Sequence, residues 1–338
     1  MKIYDNYSLL HHNTFGIEAR CRRFAEYETV SELGELLVRL REGPGEPFLH
    51  IGGGSNLLFT RDYPGTILHS ALRGCELLSS TDDEVVLRVG AAEIWDDLVA
   101  HCVAQGWYGL ENLSLIPGEV GAAAVQNIGA YGEEAEKFIV RVETVEAATG
   151  QARVFGHDEC RYAYRSSIFK QELRGKYVVT HVVFRLTRHF SPVLTYGGLQ
   201  KEIDRLALRD LTPARLRQLV IDIRKAKLPD PSVRGNAGSF FMNPVVSEDK
   251  FRELLARHPD MPHYAAPGGI KIPAGWMIEQ CGWKGRALGR AAIHDRQALV
   301  LVNLGGATGA EIVALSEAVR TDVRERFGID IRPEVNFI

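Results

Sequence analysis

Ile116-Pro117-Gly118-Glu119-Val120-Gly121-Ala122-Ala123-Ala124-Val125-Gln126-Asn127-Ile128-Gly129-Ala130-Tyr131-Gly132 is the stretch on which the fold turns. Its seventeen residues hold four glycines and four alanines, and no Lys, Arg or Asp. Side chains this small let a backbone approach something flat and large, with Gln126 and Asn127 as amide partners. An isoalloxazine ring fits that description, and so does close helix packing; composition leaves both open. Upstream, Phe48 to Ile51 reads as a short buried strand running into Gly52-Gly53-Gly54-Ser55-Asn56. Three glycines without Cβ atoms can turn bare N–H groups toward an anion, and Ser55 and Asn56 add donors. No Gly-Lys-Ser/Thr follows, so this is not a P-loop, and Leu57 takes the place of the last glycine of G-x-G-x-x-G. A tight strand-to-loop turn explains the segment equally well by itself. Two such segments in one N-terminal unit fit a dinucleotide that needs both its pyrophosphate and its ring held.

Elements outside these segments set the organisation. Thr29 with Glu32 opens a helix whose apolar stripe is Val30, Leu33, Leu36, Leu37 and Leu40. Strands are expected at Thr66–His69, Glu84–Val89, Val140–Ala147 and Tyr177–Leu186, with a helix near Ile94–Gln105. Thr212-Pro213 starts another helix, which runs out at Leu228-Pro229-Asp230-Pro231, a domain junction. Beyond it a second α+β unit is expected: a helix from Ser247, one near Gly275–Cys281, a strand at Ala298–Asn303, and a helix from Thr308 to Phe327. That last helix carries a capping box (Thr308, Glu311) and Gly328 as its stop. The chain closes with strict alternation, Ile329, Ile331, Val335 and Phe337 on one face and Arg332 and Glu334 on the other.

The 338 residues suit two or three domains. Forty Lys+Arg against 43 Asp+Glu leave a net charge of −3, which speaks against nucleic acid as partner. No run approaches the ~18 apolar residues needed to span a bilayer, and Met1 to His12 is too polar for an export sequence. Five widely separated cysteines read as free thiols of a reducing cytosol, and the eleven histidines show no metal-binding spacing. A protein-held metal is not expected.

Three further residues stand in suggestive settings. Ser239 lies in Gly235-Asn236-Ala237-Gly238-Ser239-Phe240-Phe241-Met242-Asn243-Pro244, which is no nucleophile elbow but can present a proton or hydrogen bond. Tyr164-Arg165-Ser166-Ser167 offers a guanidinium suited to a carboxylate or phosphate. Glu334 is on the polar face of the final strand. A turn serine, a surface arginine and a solvated carboxylate are the plain alternatives for these three.

Taken together, the motifs occur in a telling order. Asn13-Thr14-Phe15-Gly16, Gly52-Gly53-Gly54-Ser55-Asn56, Gly109-Leu110-Glu111-Asn112-Leu113, Ile116-Pro117-Gly118 and Gln126-Asn127-Ile128-Gly129-Ala130-Tyr131-Gly132 come first. Tyr164-Arg165, Lys227-Leu228-Pro229-Asp230, Gly235 to Phe241 and Pro333-Glu334-Val335 follow. The array resembles the UDP-N-acetylenolpyruvoylglucosamine reductase (MurB) family from about residue 13 to the C-terminus. The resemblance implies an α+β protein: an FAD-binding domain of the vanillyl-alcohol-oxidase (PCMH) type made of two subdomains, plus a C-terminal α+β substrate-binding domain. Its expected boundaries are 1–75 joined by the closing strand 329–338, then 76–228, then 229–328.

The resemblance also implies the chemistry. NADPH reduces noncovalent FAD, and the reduced flavin passes hydride to the vinyl carbon of UDP-N-acetylglucosamine enolpyruvate, giving UDP-N-acetylmuramate for peptidoglycan. Ser239 is then the proton donor to the α-carbon, with Arg165 and Glu334 supporting the carboxylate and the intermediate. FAD would rest on Gly52, Gly53, Gly54, Ser55 and Asn56, on Ile116, Pro117, Gly118, Gly121 and Ala122, and on Gln126, Asn127, Gly129, Ala130 and Tyr131; Gly53 is a variable position in its loop. The UDP-sugar would meet Tyr196, Lys227, Asn243, Tyr264, Lys271 and Gln297, Tyr196 lying on the tyrosine-bearing loop that one form of the family closes over its substrate. Met242 stands where some relatives carry a basic residue. A cytoplasmic enzyme is implied, with no protein partner indicated. Another FAD-linked oxidase of the same fold and a non-redox nucleotide-sugar binding protein are the alternatives.

Overall fold

A computed structural model describes residues 1–43, 45–195, 198–208 and 210–338. Tyr196, expected on the substrate-closing loop, lies outside the described residues. The chain divides into two compact units. The first comprises residues 1–7, 21–53 and 64–224; the second comprises 8–20, 54–63 and 225–338.

Two sheets build the first unit. One has the strand order Lys2–Ser8, Arg20–Tyr27, Tyr63–Ser70, Phe48–Ile51, and its last pair runs parallel with Phe48 opposite Thr66. Helix Val30–Glu42 buries Leu33, Leu36 and Leu37, each worth roughly 1.5–3 kcal/mol. Its start is capped by the Thr29 hydroxyl, which accepts the Glu32 N–H at 3.1 Å, while the Glu32 carboxylate turns back to the Glu28 N–H at 2.7 Å. The other sheet is antiparallel, in the order Ala152–Gly156, Ile139–Glu146, Tyr177–Thr187, Glu84–Gly90, Cys75–Ser80. Helices Trp95–Gln105 and Val120–Gln126 share its core, with Trp95, Leu98, Cys102, Val120, Ala123 and Ala124 packed among Leu87, Val182 and Phe184.

In the second unit a four-stranded antiparallel sheet runs Asn236–Ser239, Val300–Asn303, Ala291–Ile293, Ala287–Leu288. Helix Gly309–Phe327 lays Ile312, Leu315, Val319, Val323 and Phe327 into the same core as Phe240, Phe241 and Leu301. Its capping box is complete in both directions, and Gly328 ends it at φ 66°. A smaller sheet joins Val245–Val246, Gly269–Lys271 and Tyr264–Ala266. Residues 8–20 are built in through Asn303, whose amide donates to the Phe15 carbonyl at 2.9 Å. Gly235 lies so close that a Cβ there would sit 2.1 Å from the same oxygen.

The closing segment corrects the sequence reading. Only Asn336–Phe337 is a strand, paired parallel with Leu57–Leu58 in the second unit. Ile329, Ile331 and Val335 are buried as alternation predicts, but Phe337 is 39% exposed. Around Pro333 the segment makes a single bridge rather than a continuous ladder. Pro333 bridges Phe241, and the Arg332 carbonyl accepts from Met242 N at 2.9 Å.

Candidate active site

Arg165 is fixed from three sides in the first unit. Its Nη1 donates to the Asn127 carbonyl at 3.3 Å and to Glu134 Oε1 at 3.4 Å, and its Nη2 donates to the Gly129 carbonyl. The guanidinium also lies 5.0 Å from the centre of the Tyr164 ring. A Cβ at Gly129 would come within 2.7 Å of Arg165 Nη1, so glycine is what lets this strand edge meet the cation. Burial raises the Glu134 carboxyl above its ordinary range, with Arg165 pulling the other way.

Asn127 organises the neighbourhood rather than facing outward. Fully buried, its amide donates to Glu134 Oε2 at 3.1 Å and the Ala163 carbonyl at 3.0 Å, and its oxygen accepts Glu136 N at 3.1 Å. It also ends helix Val120–Gln126 in the left-handed region at φ 45°, a cap Asn tolerates. Leu115 (φ 58°), Tyr131 (φ 49°) and Arg165 (φ 53°) adopt the same conformation without that excuse. Strain of this kind gathers at ligand clamps and catalytic centres.

The glycine-alanine stretch divides between the two uses that composition left open. Gly121, Ala123 and Ala124 are buried, and a Cβ on Gly121 would meet that of Ala91 at 2.8 Å, which is close helix packing. Ile116, Gly118, Ala122, Gln126, Gly129, Ala130 and Tyr131 are partly exposed and Pro117 is exposed. Arg224, which no motif singled out, has its buried Nε without a partner among the described residues, and its charge is felt by the Tyr131 phenol. Asn112 stood within a motif but was given no role: its amide holds the carbonyls of Tyr131 and Val193, both at 2.8 Å.

At the first glycine loop the decisive neighbour is Glu119. Its carboxylate accepts the Gly53 N–H, and a Cβ on Gly52 would lie 2.8 Å from its Oε2. Burial raises this carboxyl to about 7, against the lowering influence of Arg73 and the Gly53 N–H. The turn thus already receives an oxyanion on its backbone, as a diphosphate requires. That donor set fits the phosphate end of FAD.

The second unit brings Ser239 and Glu334 onto adjoining backbone. Glu334 N donates to the Phe240 carbonyl at 2.7 Å, and the Glu334 carbonyl accepts Asn56 Nδ2 at 3.3 Å. Asn56, through its own carbonyl, also takes Asn336 N at 3.1 Å. Gly54, at φ 67°, is where the chain passes the His12 carbonyl, 2.0 Å from where a Cβ would be. Ser239 is exposed at the end of its strand, opposite Val300.

Of the sugar-binding candidates, Tyr264 and Lys271 are direct cross-strand partners and so share a face. Asn243 spends its oxygen on the Ala274 N–H at 2.9 Å, the start of helix Ala274–Gln280. Gln297 turns its oxygen back to Leu299 N at 3.3 Å, in the hairpin loop before Val300–Asn303. Lys227 is exposed at the last position of helix Pro213–Lys227, and Met242 is partly buried. Among the described residues no group of His, Cys, Asp and Glu is arranged to hold a metal.

A protein from Bacteroides fragilis (strain YCH46) named UDP-N-acetylenolpyruvoylglucosamine reductase is 56% identical over 338 residues, covering 99% of each chain. The chain belongs to the UDP-N-acetylenolpyruvoylglucosamine reductase family. A family member of the same name from Chromobacterium violaceum is 47% identical over 327 residues, covering 96% of this chain and 95% of its own. Residues 230–338 match the C-terminal domain of the reductase family, and residues 23–156 match an FAD-binding domain. The fold agrees: a MurB reductase from Thermus caldophilus superposes with a TM-score of 0.71 at 24% identity, over 100% of this chain and 99% of that one. This is an α+β reductase of the MurB family with an FAD-binding domain ahead of its family-specific C-terminal domain.

Proposed function

We propose that the chain reduces UDP-N-acetylglucosamine enolpyruvate to UDP-N-acetylmuramate at the expense of NADPH, in the cytoplasm, for peptidoglycan. FAD, when bound, supplies the two-electron relay between the nicotinamide and the enolpyruvyl group. Its diphosphate is assigned to Gly52-Gly53-Gly54-Ser55-Asn56 and its ring to the partly exposed residues of 116–131. In this reading the two sheets of the first unit are the two flavin-binding subdomains, and residues 229–328 bind the sugar.

The protein's own groups then have distinct duties. As the vinyl carbon is reduced, charge develops on the adjoining carboxylate, and Arg165, held by two carbonyls and Glu134, is the cation assigned to it. Ser239 gives a proton to the α-carbon. A serine is a weak acid, but the carbanionic intermediate is a far stronger base, so the transfer is downhill. Glu334 orients the reacting group beside Ser239. The observation that supports this reading most is the Phe240–Glu334 backbone pairing, which ties the two side chains to one rigid edge. Tyr264 and Lys271 offer an aromatic face and a cation to the UDP moiety.

Anaerobic turnover in D2O tests the assignment. One NADPH should disappear for each enolpyruvyl sugar consumed, with solvent deuterium at the α-carbon of the product. NADPH oxidation that needs oxygen and ignores the sugar would overturn it in favour of an oxidase.

A further inference from the structure

The stretch 116–132 contains a single charged residue, Glu119, and neither the packing of the helix nor the proposed proton transfer uses it. Its surroundings are unusual for a carboxylate. One face lies on the Gly52–Gly53 turn, taking the Gly53 N–H, with Oε2 2.8 Å from where a Gly52 Cβ would stand and Oε1 3.6 Å from a Gly53 Cβ. On the side of strand Tyr63–Ser70, His69 Nε2 lies 3.8 Å from Oε1. His69 is itself held through Nδ1 by Glu26 of strand Arg20–Tyr27 at 3.3 Å, and Glu26 is paired with Lys2 of strand Lys2–Ser8 at 3.1 Å. Tyr27, bonded to His50 of strand Phe48–Ile51 at 2.8 Å, feels the charge of Glu119, and Arg73, after the strand of His69, acts on Glu119 in turn.

We propose that Glu119 makes flavin retention pH-dependent, because its carboxylate and the diphosphate of FAD compete for the Gly53 N–H and the space beside the Gly52–Gly53 turn. This rests on the reading that the diphosphate lies on that turn. Two anions cannot share donors in a half-buried site without strong repulsion. Glu119 therefore accepts the diphosphate beside it when protonated and opposes it when ionised. The carboxyl is raised to about 7 by burial, so the change falls near neutrality. The sign follows from linkage: bound FAD raises the carboxyl further, binding takes up a proton, and affinity declines as pH rises through the carboxyl's free value. His69 loses its proton on the acid side of this window, since burial lowers it. Its titration therefore contributes little above neutrality.

The test is a titration of the full-length chain, stripped of flavin, with FAD and separately with riboflavin, from pH 6 to 9, by flavin fluorescence. For the unaltered protein the FAD dissociation constant should be level below neutrality, then rise by up to about tenfold per pH unit above it. Glu119→Gln should bind FAD with a level profile. Riboflavin, which has no phosphate, should bind with a level profile to both. This second comparison needs no variant and so does not depend on how Glu119→Gln folds. Parallel FAD profiles in the two proteins would overturn the proposal. So would riboflavin losing affinity with the same pH profile as FAD, since Glu119 would then be acting on the loop and not on phosphate. If neither flavin binds at any pH, the flavin reading falls and this inference falls with it.

Discussion

Gly54 and Gly53 are neighbours with opposite obligations. At Gly54 the backbone is left-handed and a Cβ would collide with the His12 carbonyl, which has no freedom to withdraw. Gly54→Ala is therefore expected to cost about 2–4 kcal/mol, read as a lowered midpoint in urea unfolding. A Cβ at Gly53 would meet only the Glu119 side chain at ordinary contact distance, so Gly53→Ala should stay within about 0.5 kcal/mol of the parent. This contrast was only half legible beforehand. Three consecutive glycines announce a close approach of backbone, but which of them is obligatory depends on residues 8–20 folding back to that point. Glu119 was visible as the one charge in an uncharged stretch, yet only tertiary structure shows it resting on Gly53. For Asn127 the residue type pointed to a ligand contact, and the structure turns its amide inward to Glu134, Ala163 and Glu136. A buried amide needs every hydrogen bond satisfied, and sequence does not reveal which partner will supply them.

Helix Gly309–Phe327 shows how far local chemistry carries at the level of elements. Thr308, Glu311 and Gly328 each mark a boundary that the structure keeps. Thr308→Ala should cost about 1 kcal/mol, measurable as a drop in thermal midpoint. Its partner Glu311 is held down to about 2, chiefly by Arg290 and also by the Thr308 N–H. A carboxyl depressed from 4.5 in the unfolded chain contributes stability above that value and loses it as pH falls toward about 2. Glu311→Gln should therefore be less stable than the parent at neutral pH, and the two should converge near pH 2 in acid unfolding. Strands were less evenly legible. Glu84–Gly90 and Tyr177–Thr187 are apolar enough to stand out, being central in their sheet. Cys75–Ser80 is an edge strand with every residue exposed, and Lys2–Ser8 is an edge strand with its first five exposed, so neither shows an alternating pattern to read. The closing segment failed for the opposite reason: its alternation is real, but only Asn336–Phe337 pairs as a strand.

For the whole molecule, the last passage from the first unit to the second comes after Arg224, a few residues ahead of the turn at Pro229–Pro231. What linear reading could not anticipate is that residues 8–20 and 54–63 belong to the second unit. Such pairings form between segments more than two hundred residues apart, as between Asn56 and Glu334, and leave no periodicity behind. They matter because they put the glycine loop's asparagine on the backbone of a proposed catalytic residue. The account's central claim is that one site runs two half-reactions and that Ser239 serves only the second. Anaerobic stopped-flow absorbance of the flavin, in the parent protein and in Ser239→Ala, tests it most directly. NADPH should bleach both at similar rates, and the enolpyruvyl sugar should restore the yellow colour at least about 100-fold more slowly in the variant. Equal recovery in both proteins would contradict the role given to Ser239, and a protein that shows no flavin absorbance even after FAD is added would contradict the account as a whole.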